Sequence, residues 1–186
     1  GIKAAYAVSE KINLMAGLVD GIDSKEDNNK AKGVIAQVVF KPTGELGVYL
    51  NYFRSDEGVT EKSVYNIVDA VVNYQVNDKL YLGLNGAFGR KNKKNWGGVA
   101  FYSNFVFSKK VSLGGRYEIF DNKSGIRGLL DAQGDGTAVK SFTMTANIKL
   151  TPNILFKPEF RSDRYLKGSN QFNDNNGSFK DNAATL

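Results

Sequence analysis

The stretch Ser141-Phe142-Thr143-Met144-Thr145-Ala146-Asn147-Ile148-Lys149-Leu150 decides how this chain is read. Phe142, Met144, Ala146, Ile148 and Leu150 alternate with Ser141, Thr143, Thr145, Asn147 and Lys149. In an extended strand successive side chains point to opposite faces, so one face here is wholly apolar and the other wholly polar. The same phase recurs at 80–88, where Leu80, Leu82, Leu84 and Phe88 alternate with Tyr81, Gly83, Asn85 and Ala87. It returns at 46–53, where Leu46, Val48, Leu50 and Tyr52 oppose Gly47, Tyr49, Asn51 and Phe53.

Worked outward from these three, the pattern predicts ten strands, near 1–8, 12–22, 33–41, 46–54, 64–76, 80–89, 97–107, 111–120, 141–150 and 154–163, with an eleventh beginning at Ala183. The connections alternate between short and long. Short turns are expected near 9–11, 42–45, 76–79, 108–110 and 151–153, and long polar loops at 23–32, 55–63, 90–96, 121–140 and 164–182. The repeat is audible in Lys11-Ile12-Asn13-Leu14, Lys79-Leu80-Tyr81-Leu82 and Lys110-Val111-Ser112-Leu113. Two strands per repeat are too few for a propeller blade. Hairpins with every tight turn at one end and every long loop at the other instead describe an all-β, antiparallel, up-and-down transmembrane β-barrel. Ten residues at about 3.4 Å, tilted by about 40°, rise roughly 26 Å, the height of an apolar membrane band. Phe40, Tyr52, Tyr74, Phe88, Phe107, Tyr117 and Phe156 lie on the apolar phase, most near a strand end, where an aromatic girdle belongs.

Composition agrees. The chain has 186 residues with no Cys and no His, which removes Ser-His-Asp and Cys-His nucleophiles, zinc sites and disulfides. Mean hydropathy is −0.35, and no run reaches the roughly 18 apolar residues of a spanning helix. A polar average is what lipid-facing residues give when lumen residues dilute them one for one. Net charge is +6, but the basic residues are scattered through loops and turns rather than gathered in a stripe, so nucleic acid is not an expected partner.

With the apolar phase toward lipid, the other phase lines an interior. Its charges are the candidate selectivity residues: Asp69, Arg116, Glu118, Lys149, Lys157, Glu159, Arg161 and Asp163, the last four forming a same-face ladder at 157–163. Two readings of that ladder are open, a constriction that sorts solutes by charge or salt bridges that stiffen the wall. Paired carboxylates for glycoside chemistry are disfavoured because nothing fixes the spacing of Glu118 and Glu159. Asp131-Ala132-Gln133-Gly134-Asp135-Gly136 lacks the distal Glu of a calcium loop and reads as a flexible loop, and Asn173-Asp174-Asn175-Asn176-Gly177 as a turn-rich one. Neither a metal nor a cofactor is expected.

Trp96-Gly97-Gly98-Val99-Ala100-Phe101-Tyr102, Arg116-Tyr117-Glu118-Ile119-Phe120-Asp121 and Lys157-Pro158-Glu159-Phe160-Arg161-Ser162-Asp163 resemble the β-barrel porin-2 family of Gram-negative outer membranes. The segment 14–23 and the Asn-rich stretch after it resemble the same family, with Ile22 where an aromatic is expected. The resemblance implies a pore of about 16 strands, of which this chain would be the C-terminal portion, without signal peptide or first strands and stopping within its last strand. It implies an outer-membrane location, contact with outer-membrane lipid and lipopolysaccharide, and passive diffusion of small hydrophilic solutes without covalent chemistry. The alternative is a non-conducting barrel that docks in an outer-membrane complex or a homo-oligomer, which an inward-folded 121–140 loop would favour. A soluble β-sandwich or lectin-like module is the third reading.

Overall fold

A computed structural model describes residues 1–22, 29–173 and 176–185. Asp23, Lys25 and Asp27-Asn28 of the first expected loop, Asp174-Asn175 of the last, and Leu186 lie outside the described residues. Every regular element among the described residues is a strand. In chain order they are β1 (Ile2–Ala7), β2 (Ile12–Val19), β3 (Gly33–Phe40), β4 (Leu46–Asp56), β5 (Val64–Gln75), β6 (Leu80–Lys91), β7 (Lys94–Val106), β8 (Val111–Asp121), β9 (Ala138–Thr151), β10 (Ile154–Phe156), β11 (Glu159–Tyr165), β12 (Phe172–Asn173), β13 (Phe179–Lys180) and β14 (Asn182–Thr185). One 12-stranded sheet runs β1-β2-β3-β4-β5-β6-β7-β8-β9-β11-β14, with β10 beside β9; β12 and β13 form a small separate pair. All pairings are antiparallel.

The tight turns share one device. A short polar side chain at the start of the turn accepts two backbone N–H groups two and three residues on, which closes the hairpin. Ser9 Oγ accepts from Lys11 and Ile12, Thr43 Oγ1 from Glu45 and Leu46, Asn77 Oδ1 from Lys79 and Leu80, and Ser108 Oγ from Lys110 and Val111.

Three expectations need correction. The long loop at 90–96 does not exist: β6 and β7 continue to Lys91 and from Lys94, joined by Asn92-Lys93. Asn92 takes a left-handed φ of 53°, which Asn tolerates, and its Oδ1 accepts from the backbone of Val64. The polar run there is strand on both faces because it rises beyond the apolar band. Second, β9 begins at Ala138 and β11 reaches Tyr165, so Lys140 and Arg164 are paired strand residues rather than loop ends. Third, the tenth strand is broken at Lys157-Pro158: Pro158 has no N–H to donate, and Lys157 lies exposed in the gap, so the ladder within β11 is Glu159, Arg161 and Asp163.

Among the described residues the sheet is open, with one unpaired edge on β1 and one on β14. Strands alternate in direction along the sheet, and eleven of them follow one another from β1 to β14. Both edges therefore run the same way, from the long-loop end to the short-turn end. Joining them directly would make one parallel pair; an antiparallel ring takes an odd number of further strands.

Burial is inverted relative to a water-soluble sandwich. The buried strand residues are Ser55, Tyr65, Ala100, Val139, Ser141 and Thr143 and the glycines Gly33, Gly47, Gly83 and Gly89, all on the polar phase. On the other face Tyr52, Val68, Leu84, Phe88, Phe101, Tyr117, Phe142 and Leu150 are exposed. The sheet therefore curls with its polar side inward and its apolar side out. No second layer covers that apolar surface among the described residues, which is the arrangement lipid stabilises and water does not.

Candidate pore-lining site

Cross-strand register places the interior residues in rows around the wall. Gln37, Asn51 and Asp69 stand directly opposite one another on β3, β4 and β5, and Asn85 is one diagonal step away on β6. Gln37 Nε2 donates to Asn51 Oδ1 at 2.7 Å, Asn51 Nδ2 to Asp69 Oδ1 at 2.6 Å, and Asn85 Nδ2 to Asp69 Oδ2 at 2.6 Å. Asp69 is thus the node of an amide chain spanning four strands.

Farther along the same face, Tyr102, Arg116, Thr143 and Arg161 form one row across β7, β8, β9 and β11. Ala100, Glu118, Ser141 and Asp163 form the next row toward the long loops. Two guanidiniums are aligned on either side of Thr143, and two carboxylates on either side of Ser141. Each Arg is bridged to the carboxylate two residues along its own strand: Arg116 to Glu118, and Arg161 Nε to Asp163 Oδ2 at 2.9 Å. Arg161 Nη2 also donates to Ser141 Oγ at 3.2 Å. The Arg116 guanidinium lies 5.4 Å from the centre of the Tyr102 ring, a cation–π contact that fixes its plane. Arg116 Nε and Asp163 Oδ1 are covered yet make no hydrogen bond to protein. One row toward the short turns, Glu159 Oε2 accepts from Thr145 Oγ1 at 2.7 Å.

Of the eight residues singled out from sequence, five (Arg116, Glu118, Glu159, Arg161 and Asp163) are brought together on this wall. Asp69 sits apart in the amide chain. Lys149, near the short-turn end of β9, and Lys157 are exposed and join neither group. Asp131 Oδ1 is occupied by the backbone N–H groups of Gln133 and Asp135, which makes 131–135 a tight local turn.

A third group was not anticipated. Phe53, Tyr65, Trp96 and Phe120 all lie on the interior phase near the long-loop end. Trp96 stands directly opposite Gly89, and a β-carbon there would collide with the indole; the glycine lets the ring lie across the wall toward Tyr65. Trp96 Nε1 donates to Tyr65 Oη at 2.6 Å. Onto this pair comes Arg127 from the connection between β8 and β9, 5.2 Å from the Trp96 ring and donating to Tyr65 Oη at 3.3 Å. Since Trp96 and Tyr65 face the interior, that connection bends inward across the mouth. Its shape is held by Asn122, fully buried, whose Nδ2 donates to the carbonyls of Arg127 and Leu129 and whose Oδ1 accepts from Arg127 N. Asn122 therefore spends both ends of its carboxamide on one turn. The loop also meets the next one, through Thr137 against Ser169 and Ala132 N donating to Ser169 O.

The family profile described as "Putative beta-barrel porin-2, OmpL-like" matches residues 1–186, the whole chain. The chain belongs to this porin family. No curated protein and no solved structure matches it. Membership makes the apolar convex face of this porin its membrane surface and its polar concave face the wall of a barrel interior.

Proposed function

We propose that this porin sits in the bacterial outer membrane and lets small hydrophilic solutes diffuse through a water-filled lumen whose β8–β11 wall sorts them by charge. The observation that carries the proposal is the pair of opposite-charge rows on the concave face, Arg116 and Arg161 beside Glu118 and Asp163. An Arg or Lys on the lipid side would cost about 2–4 kcal/mol at mid-depth and a carboxylate less, whereas a wet interior solvates both. Two aligned guanidiniums next to two aligned carboxylates set up a field along the wall that an ion or zwitterion crosses in sequence. Transport on this reading is passive and involves no covalent step. Arg127, held on the Trp96 ring at the mouth, narrows the entrance and adds one fixed positive charge there.

The inward loop also supports a second reading, a barrel closed by 122–137 that docks in an outer-membrane assembly. Planar-bilayer recordings decide between them. Stepwise conductance from the wild-type protein is the expected result, with smaller steps than a variant in which 125–135 is replaced by a short Gly-Ser linker. Steps from the shortened variant alone select the docking reading, and no steps from either overturn the porin proposal.

A further inference from the structure

The outward face carries charge on the long-loop halves of several strands. Arg54, Asn66, Arg90 and Asn95 form an outward row across β4 to β7, and Lys140 and Arg164 stand on the same outward phase of β9 and β11. From Lys140 to Leu150 the strand advances ten residues, about 26 Å of axial rise, so Lys140 stands at the upper limit of the roughly 25 Å apolar band. Because short turns face the periplasm and long loops the exterior, this limit is the outer leaflet's headgroup level.

Lys140 and Arg164 are directly opposite each other across β9 and β11. Like charges at such a cross-strand position repel, and a sheet ordinarily avoids them. Neither is ion-paired to a described residue. They line a concavity of about 460 Å³ together with Lys123 and Lys167 from the neighbouring loops, with Ile119 and Leu166 as its apolar floor. Two carboxylates lie nearby. Asp121 is bound to Lys123 Nζ at 2.7 Å. Asp181, whose field reaches Lys167, has its oxygens taken by the N–H groups of Gly168 and Asn170. Four cations and one already paired carboxylate therefore surround a hollow, and the next outward pair toward the short turns is Tyr117 opposite Phe142, both exposed.

We propose that this hollow holds the phosphate of a phosphorylated outer-leaflet lipid, with Lys140 and Arg164 as its principal ligands, Lys123 and Lys167 closing over it, and the acyl chains lying along Tyr117, Ile119 and Phe142. The anion relieves the like-charge pair, and the apolar wall below selects a lipid over a free ion. The proposal rests on the convex face being the membrane surface, and is independent of whether the lumen conducts.

The test is native mass spectrometry of detergent-purified protein titrated with bis-phosphorylated lipid A, with its dephosphorylated form, and with inorganic phosphate as competitor. Wild type is expected to bind the phosphorylated lipid. K140Q/R164Q is expected to bind it about tenfold or more weakly, the loss of two interfacial cations. K109Q/K110Q, at the short-turn end, should bind as wild type does. K140Q alone should also raise the unfolding temperature in neutral detergent, since it removes a repulsion, so lost binding cannot be ascribed to lost folding. Equal binding of the dephosphorylated lipid, displacement by equimolar inorganic phosphate, unchanged binding in K140Q/R164Q, or equal loss in K109Q/K110Q would each overturn the proposal. K140Q/R164Q should keep wild-type conductance, which separates this site from the porin reading: a protein that binds lipid without conducting defeats only the latter.

Discussion

Across β3 to β6 the inner wall is a chain of carboxamides gathered on one carboxylate, Asp69; across β8, β9 and β11 it is two rows of opposite charge. Both are continuous through several strands, yet their energetics differ. Hydrogen bonds to a charged group contribute about 1.5–3 kcal/mol each, and a buried amide left without its partner loses a similar amount. Ion pairs as open as Arg116–Glu118, whose side chains are 36% and 23% exposed, contribute between about 0 and 1 kcal/mol once solvent screening is counted. On these magnitudes the first wall contributes more to the stability of the sheet, while the second, on the proposed function, shapes the field a solute meets. A sequence shows only polar residues on alternate positions in both.

Both walls presuppose that the concave face meets water, and the largest expected effect tests that. Leu84→Lys, on the convex face at mid-strand, should destabilise the lipid-reconstituted protein by about 2–4 kcal/mol in urea unfolding, and Asn85→Lys, its neighbour on the concave face, by much less. Next in size, Asp69→Leu removes the acceptor of Asn51 and Asn85 and should cost about 2–3 kcal/mol, against less than about 1 kcal/mol for R116Q/R161Q. Equal losses would erase the distinction between the walls. Ion selectivity should show the reverse order: R116Q/R161Q shifts the reversal potential in a salt gradient toward cation preference, while Asp69→Asn shifts it less and in the opposite direction. An unmoved potential in R116Q/R161Q removes the field from the account.

The smallest effect lies outside the membrane. Two backbone N–H groups, from Asn170 and Gly168, hold the Asp181 carboxyl below the usual carboxylate range. A lowered folded pKa means the stabilisation is complete above the unfolded value and is lost as pH falls through the folded one. Pepsin cleavage of the 166–181 loop should accelerate as pH drops below about 4, and Asp181→Asn should abolish that dependence. Cleavage that accelerates equally in Asp181→Asn assigns the pH response elsewhere.

Most of the sheet was readable from the sequence, because a two-residue alternation forced by lipid on one side is a local signal. The turns at Ser9, Thr43, Asn77 and Ser108 were readable for the same reason. The hairpin at Asn92-Lys93 was hidden: once β6 and β7 rise past the apolar band, alternation stops, and a strand polar on both faces looks like a loop. Lys140 and Arg164 read as loop ends for the same reason, so the sequence does not show that they face each other. The Arg127 contact has no local sequence signal, since it joins a loop to Tyr65 across 62 residues through ring geometry. Gly89 opposite the lone Trp of the chain was the one available hint.

Which face of the sheet meets water decides the role of both walls, and a chain without cysteine allows it to be measured directly. Single cysteines at Leu84 and Asn85, adjacent on β6, should be probed in lipid-reconstituted protein with a charged, water-soluble maleimide. Rapid labelling of Asn85→Cys and protection of Leu84→Cys is the predicted result; labelling of Leu84→Cys with Asn85→Cys protected would contradict a polar, water-filled interior.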